Sequence, residues 1–191
     1  MLGAANAHAA RHLERWATWP VMATVLVGPR KSGRSRIGRA FVAKTGGELA
    51  DDAQGWDEER LFHAWNAAQE RRRPLLMIAD VAPPAWAPKL PDLRSRLAAT
   101  PVAHIEEPDD ALFGALVTQI LAERGLVAPP ELARFLLPRV ERSYISVQRV
   151  VDALDAHAFS RQARPTVPMA RKALRAAGLL DDGRLPFAEA G

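Results

Sequence analysis

Val21-Met22-Ala23-Thr24-Val25-Leu26-Val27-Gly28-Pro29-Arg30-Lys31-Ser32-Gly33-Arg34-Ser35 sets the frame for the whole 191-residue chain. Its first seven residues make a continuous, largely apolar run, the pattern of a strand buried on both faces of a parallel sheet. The run ends in a loop of small residues, and beyond it Ile37, Ala40 and Phe41 recur at helical spacing. Strand, loop and helix therefore follow in that order. Within the loop, Gly28 and Gly33 bracket Pro29, Arg30, Lys31 and Ser32, and Arg34 and Ser35 come next. This spacing matches the phosphate-binding P-loop, with arginine where lysine is usual. Each residue type has a reason to be there. Glycines let backbone N–H groups turn inward onto phosphate oxygens at a helix N-terminus, a cation neutralises the terminal phosphates, and the hydroxyl holds magnesium. Arg34 supplies the charge through a planar fork bulkier than an ammonium. The plain alternative is a glycine turn that joins strand to helix and holds nothing.

Working outward, Arg11 to Trp19 reads as the end of an amphipathic helix closed by Pro20. On the other side, a short strand at Glu48-Leu49-Ala50 runs into Asp51-Asp52. A helix from about Asp57 to Arg71 puts Leu61, Phe62, Trp65 and Ala68 on one face. Leu75 to Ala79 is a third buried strand, ending at Asp80. A loop with Pro83, Pro84, Pro88 and Pro91 precedes a helix over about 92–99, and Val102 to Ile105 makes a fourth strand. Strands alternating with helices imply a parallel sheet covered on both faces, with ligands held at the carboxyl ends of the strands. After Pro108 the strand signal stops and helical patterns occupy 109–124, 130–138, 143–159 and 166–177. The expected organisation is an α/β nucleotide-binding domain over 1–107, an all-helical domain over 108–180 and a loose tail over 181–191.

Composition excludes several classes of function. With no cysteine there is no disulfide or thiolate metal site, and the five histidines are scattered. No stretch approaches the roughly 20 uninterrupted apolar residues of a membrane helix. Arg11, Glu14 and Arg15 stand where a secretory signal would have its apolar core, so cytoplasmic residence is expected. The pI of about 10.1 suggests a nucleic-acid binder, yet the formal charge is only +4. The basic residues are mostly arginine, which stays protonated to very high pH and lifts the pI without a large charge.

Three further groups could carry chemistry. Asp51 and Asp52 close a strand, as a carboxylate that organises magnesium and one that orients an attacking water would; adjacent aspartates also serve as a solvated loop or a helix cap. Asp80, at the next strand end, suits contact with a terminal phosphate or its water, or a cap on the next turn. Arg94 and Arg96 lie on one short helix, where an arginine could reach a neighbour's triphosphate and stabilise transition-state charge; surface arginines are commonly only solvated.

Read together, these pieces resemble the DnaA/Hda family of AAA+ P-loop ATPases, in its Hda branch. Residues 1–9, Met1-Leu2-Gly3-Ala4-Ala5-Asn6-Ala7-His8-Ala9, resemble the family's opening box, which places Asn6 beside the nucleotide base. Asp51-Asp52, with Leu61-Phe62-His63-Ala64-Trp65-Asn66, resembles Walker B and the helix after it. Ile78-Ala79-Asp80 before Pro83-Pro84 is similar to sensor 1, and Pro91-Asp92-Leu93-Arg94-Ser95-Arg96-Leu97 to the segment carrying the arginine finger, with Arg96 in that place. Arg124-Gly125-Leu126, Pro130-Glu131 and Thr166-Val167-Pro168 resemble the lid domain. The resemblance implies a reduced AAA+ core followed by a helical lid, and binding of ADP or ATP with Mg2+ by Gly28–Ser35. Asp51 and Ser35 would hold the metal, and Asp52, Asp80 and Arg96 would be the catalytic groups. It also implies a DnaA-type initiator as partner, whose ATP hydrolysis Arg96 promotes in trans, and it leaves a homo-oligomer open.

The departures shape the expectation further. Seventeen positions take the chain from Arg34 to Asp51, so a strand and helix usual between Walker A and Walker B are missing and the sheet should be small. The sensor 2 arginine aligns with Ile145, which cannot contact phosphate; Arg142 and Arg149 stand nearby. Together with Arg34, this points to nucleotide holding with slow or absent hydrolysis. No helix-turn-helix follows the lid, so base-specific DNA binding is not expected. The family's N-terminal sliding-clamp motif is not present at this N-terminus, and Arg184-Leu185-Pro186-Phe187 is only a faint echo of it. Two alternatives stand beside this reading: a self-sufficient P-loop ATPase or nucleotide kinase, and a degenerate scaffold that binds no nucleotide.

Overall fold

Residues Ala23–Val27 are all buried and form β1, an inner strand of a four-stranded parallel sheet. The computed structural model describes residues 3–161 and 165–180; the Arg184–Phe187 segment and the expected tail lie outside them. β1 pairs on one side with β3 (Leu75–Ile78) and on the other with β4 (Val102–His104), while β2 (Glu48–Ala50) is the edge strand beyond β3. Val25 is level with Met77 and with Val102, and Met77 is level with Ala50. Leu26, Leu75, Leu76 and Met77 are fully buried. That is the burial a parallel sheet covered on both faces requires.

Helices link the strands as the hydrophobic periodicity implied. α1 (Ala4–Glu14) ends before a 3-10 turn at Trp16–Thr18, so the amphipathic pattern read through to Trp19 is not one continuous helix. α2 (Arg34–Thr45) follows the loop after β1, α3 (Glu58–Arg71) lies between β2 and β3, and α4 (Pro91–Ala98) precedes β4. The face of α2 differs from the expected one: Gly38 and Phe41 are buried, whereas Ala40 is exposed. A side chain at Gly38 would strike Leu49 and Ile78, so closeness to the sheet sets the phase of this helix. Asp57 caps α3 by accepting the Arg60 N–H at 2.8 Å. The α/β unit spans 2–107.

The unit from Pro108 onward is helical, with α5 (Asp110–Glu123), α6 (Pro130–Leu136), α7 (Tyr144–Arg161) and α8 (Val167–Ala176). Asp109 caps α5 through the Leu112 N–H, and Thr166 caps α8 through that of Met169. Phe113, Leu121, Leu132, Leu136, Val150 and Leu154 fill its core. Arg124 at the end of α5 ties to Asp152 (2.6 Å) and Asp155 (3.1 Å) on α7. No helix among the described residues is long and apolar enough to cross a membrane.

α1 is fastened to the sheet by His12, whose Nε2 is 2.8 Å from the Thr24 hydroxyl. Thr24 donates to the Pro101 carbonyl, so in the neutral ring Nε2 is the donor. Desolvation, reinforced by the neighbouring His8, lowers the His12 pKa below the roughly 6.5 of a free imidazole. The unfolded chain therefore takes up the proton first, and the stability held above that value is lost as pH falls through the folded pKa. Urea midpoints should drop as pH is lowered below about 6.5. In His12→Gln the drop should be smaller, and an unchanged pH profile in that variant would refute the assignment.

Candidate functional site

The strand register levels the carboxyl ends of β1, β2 and β3, and the loops that leave them converge there. Gly28 follows β1, Asp51 follows β2, and Asp80 lies two residues beyond β3. The loop takes a sharp course: Lys31 has φ +67° and Gly33 φ +86°, and Gly33 is the N-cap of α2. The N-terminus of α2 thus opens at the end of the central pair of strands, where helix amides and the helix dipole favour an anion. Gly28 is needed for a different reason. A Cβ there would lie 2.8 Å from the Ile105 Cβ and 2.9 Å from its carbonyl oxygen. Gly33 has open space around it and only its backbone conformation to satisfy.

A cavity of about 350 Å3 lies in front of this loop. Arg30, Lys31, Arg34 and Ser35 line one wall; Asp51, Asp52 and the Ile78–Asp80 segment line the other. Ser35 donates to the Asp51 carboxylate at 3.1 Å. Arg34, only 12% exposed, reaches across to the end of β3, donating to the Ala79 carbonyl and to Asp80 Oδ1 at 2.7 Å. Asp80 itself is 67% exposed, so this is a rim ion pair worth at most about 1 kcal/mol. Asp52 adopts φ +53° at the start of a 3-10 turn, Ala53–Gly55. The Ser32 hydroxyl is buried with no hydrogen-bond partner, an orphaned donor inside the loop.

Two groups that sequence reasoning passed over stabilise these walls. Gln54 Oε1 accepts the N–H of Asp80 (2.6 Å) and of Val81 (3.3 Å), and so ties the turn after β2 to the end of β3. Trp56 Nε1 donates to the Asp51 carbonyl at 3.1 Å. Neither had a motif to announce it, since each acts on backbone atoms.

Arg96 and Asn6 do not line this cavity. Asn6 sits in the first turn of α1 and accepts the Gly3 N–H at 2.8 Å through its side chain, a capping contact. Arg96 is held against α3: its Nε donates to Asn66 Oδ1 at 2.8 Å, and its guanidinium lies 4.4 Å from the Phe62 ring centre and 5.3 Å from that of Trp65. Arg94 is turned back onto the Pro88 carbonyl. The start of α4 is anchored by Glu58, whose carboxylate accepts the N–H groups of Lys89 (2.9 Å) and Leu90 (2.6 Å). Those two hydrogen bonds hold the Glu58 pKa below the ordinary carboxylate value. In the helical unit, Ile145 is 40% exposed, Arg142 pairs with Asp110, and Arg149 is exposed.

Residues 111–174 match the family model of the Hda lid domain. The fold is similar to domain III of the Thermotoga maritima replication initiation protein DnaA, at a TM-score of 0.75 and 15% identity over 92% of this chain and 93% of that one. Residues 111–174 are thus similar to an Hda lid domain, and the fold of the chain is that of an AAA+ core followed by a helical lid. It is also similar to AMPPCP-bound DnaA from Aquifex aeolicus, at a TM-score of 0.64 and 14% identity over 84% of this chain and 64% of that chain. A protein of Haemophilus influenzae shares 32% identity over 130 residues, 65% of this chain. The chain spans 56% of that relative's length. Asp51-Asp52 follows β2 directly, and among the described residues the sheet has four strands.

The two loop glycines should respond differently to substitution. Gly28→Ala meets backbone as well as side chain at Ile105 and should cost about 1–3 kcal/mol by overpacking. Gly33→Ala should lose about 1–2 kcal/mol through its left-handed backbone alone. Because asparagine tolerates that conformation, Gly33→Asn should recover part of the loss, while Gly28→Asn should not. Equal behaviour of both asparagine variants in chemical denaturation would contradict this division.

Proposed function

We propose that the chain holds an adenine nucleotide, preferentially ADP, at the Gly28–Ser35 loop and presents Arg96 to ATP bound by a DnaA-type initiator, promoting hydrolysis of that ATP and so restraining replication initiation. The observation that carries this reading is the seating of Arg96, with Asn66 on its Nε and Phe62 and Trp65 beneath its plane. Such seating reduces the freedom that a guanidinium must lose when it meets a phosphate, and leaves the charge intact.

The loop residues fit a magnesium-bound polyphosphate. Ser32 has an unspent buried hydroxyl, Gly33 turns the chain into α2, and Ser35 lies against Asp51 as a metal-holding pair would. A structural relative, DnaA from Aquifex aeolicus, carries AMPPCP, which supports nucleotide binding by this fold. Bound magnesium would neutralise phosphate charge there. Arg34 departs from the pattern, because Asp80 and the Ala79 carbonyl share its guanidinium. Less of its charge is available to a terminal phosphate, and with Ile145 at the sensor 2 position the chain's own hydrolysis is slow. Asp51 holds the metal side of the site, and Asp52 and Asp80 are the carboxylates next to the reacting phosphate.

At the partner's ATP, Arg96 acts on charge that develops as the phosphoryl group transfers. Arginines supplied in trans contribute about 10³–10⁵ in rate. Arg96→Ala should therefore remove nearly all stimulation of ATP hydrolysis by a DnaA-type initiator, with an unchanged melting temperature to within a few degrees. Arg96→Lys should restore little, because an ammonium cannot reproduce the fork. Full stimulation by Arg96→Ala in a reconstituted assay refutes the role. The Ser35–Asp51 pair also favours a second reading, a self-sufficient ATPase or nucleotide kinase, for which the isolated chain would turn over ATP and Arg96→Ala would not matter.

A further inference from the structure

A second cavity, of about 450 Å3, opens beside α1 in the α/β unit. Its position follows from the sheet: its lining residue Pro101 immediately precedes β4 and its lining residue Pro20 lies before β1. It therefore stands at the amino end of the strands, opposite the phosphate loop. Four basic side chains line it, His8, Arg11, His12 and Arg15, at helical offsets that place them on one face of α1 and its first residue beyond.

Three observations separate this group from ordinary solvated arginines. First, no acidic residue lines the cavity, and among the described residues no carboxylate lies within ion-pair distance of Arg11 or Arg15. Second, burial and, after it, the neighbouring His8 disfavour a charge on His12. The negative end of the α1 dipole favours cations in its last turn, but it does not account for an acid-free cavity in front of them. Third, the wall is rigid. Trp19 is stacked between His12 (5.0 Å) and Phe41 (5.8 Å), and its indole N–H donates to the His12 carbonyl at 3.0 Å. His12 is in turn fixed to Thr24.

We propose that this cavity is a phosphate-binding site distinct from the P-loop, in which Arg11 and Arg15 clamp one phosphate group and His8 donates to a remaining oxygen, while His12, held by Thr24, forms the wall beside it. Guanidiniums one helical turn apart, with Cβ atoms about 6 Å from each other, can take a tetrahedral oxyanion from two sides. Trp19, Pro20 and Pro101 supply an apolar wall for the organic group esterified to that phosphate. The volume lies within the range of small-ligand pockets, roughly 300–1,000 Å3. The phosphate could belong to a small phosphorylated molecule or to a nucleic-acid strand, and the recognition chemistry is the same.

The site is tested by NMR titration of the histidine ring signals in the full chain, with the P-loop saturated by ADP and Mg2+. Inorganic phosphate should move the signals of His8 and His12 and leave His63, His104 and His157 in place. Arg11→Ser/Arg15→Ser should weaken this response at least tenfold while leaving the response to ADP unchanged. A deoxythymidine dodecamer acting at a tenfold or greater lower phosphate concentration than inorganic phosphate assigns the site to a strand; equal potency assigns it to small phosphorylated molecules. Absence of any shift at His8 and His12 with either probe overturns the proposal. So does an unchanged response in the double variant, or a stronger response to a hexaglutamate peptide than to phosphate. Because the P-loop is filled throughout, failure here leaves the nucleotide reading untouched.

Discussion

β1 lies between β3 and β4 with Val25 level with Met77 and Val102, and every group at the Gly28–Ser35 loop takes its position from that pairing. A one-residue slip would turn each strand's side chains to the other face of the sheet, and burial on both faces forbids it. The same register carries through Met77 to Ala50, so Asp51 leaves β2 at the level where β1 is about to end. Gly28 can leave β1 only because no side chain stands between it and Ile105. Close strand approach and loop geometry are therefore one constraint: widening the sheet at Ile105 would also displace the amides at the start of α2.

From that edge the polar contacts run in sequence. Ser35 meets Asp51, the turn after Asp51 carries Gln54, Gln54 holds the Asp80 and Val81 amides, and Asp80 takes the Arg34 guanidinium. The cation of the loop is thus balanced from within the chain. A lysine ammonium is a compact point charge, whereas the longer fork of Arg34 spans from α2 to the end of β3 and makes two contacts there. Arg96 belongs to a separate construction, in which Glu58 fixes the start of α4 and the aromatic face of α3 receives the guanidinium. In the chain α3 precedes β3 and α4 follows it.

Much of this was readable in the residues. β2 was expected at Glu48–Ala50 and is found there, and the apolar runs of β1 and β3 gave buried parallel strands, because two-sided burial removes the alternation that marks a half-exposed strand. Asp51 and Asp80 were singled out for standing at strand ends and Arg34 for its place after the two glycines, and the fold brings them around one cavity. The residues that hold them were not readable. Gln54 and Glu58 act on backbone N–H groups 26 and 32 residues away, and an acceptor for a distant main chain leaves no spacing rule. The phase of α2 was misjudged at Ala40 because the residue nearest the sheet, Gly38, has no side chain to register as apolar. Asn6, which the resemblance places beside a nucleotide base, accepts the Gly3 N–H at the start of α1.

Thermal unfolding in the presence of nucleotide tests the central claim most directly, because ligand that binds only the folded state stabilises it by a calculable amount. With ADP and Mg2+ at about 100 times the dissociation constant, the gain should be about 2.7 kcal/mol, read as a rise of several degrees in melting temperature. Ser35→Ala should remove the magnesium-dependent part of that rise. A melting temperature indifferent to ADP and to ATP at millimolar concentration, with and without Mg2+, would contradict the account of the Gly28–Ser35 loop as a polyphosphate cradle.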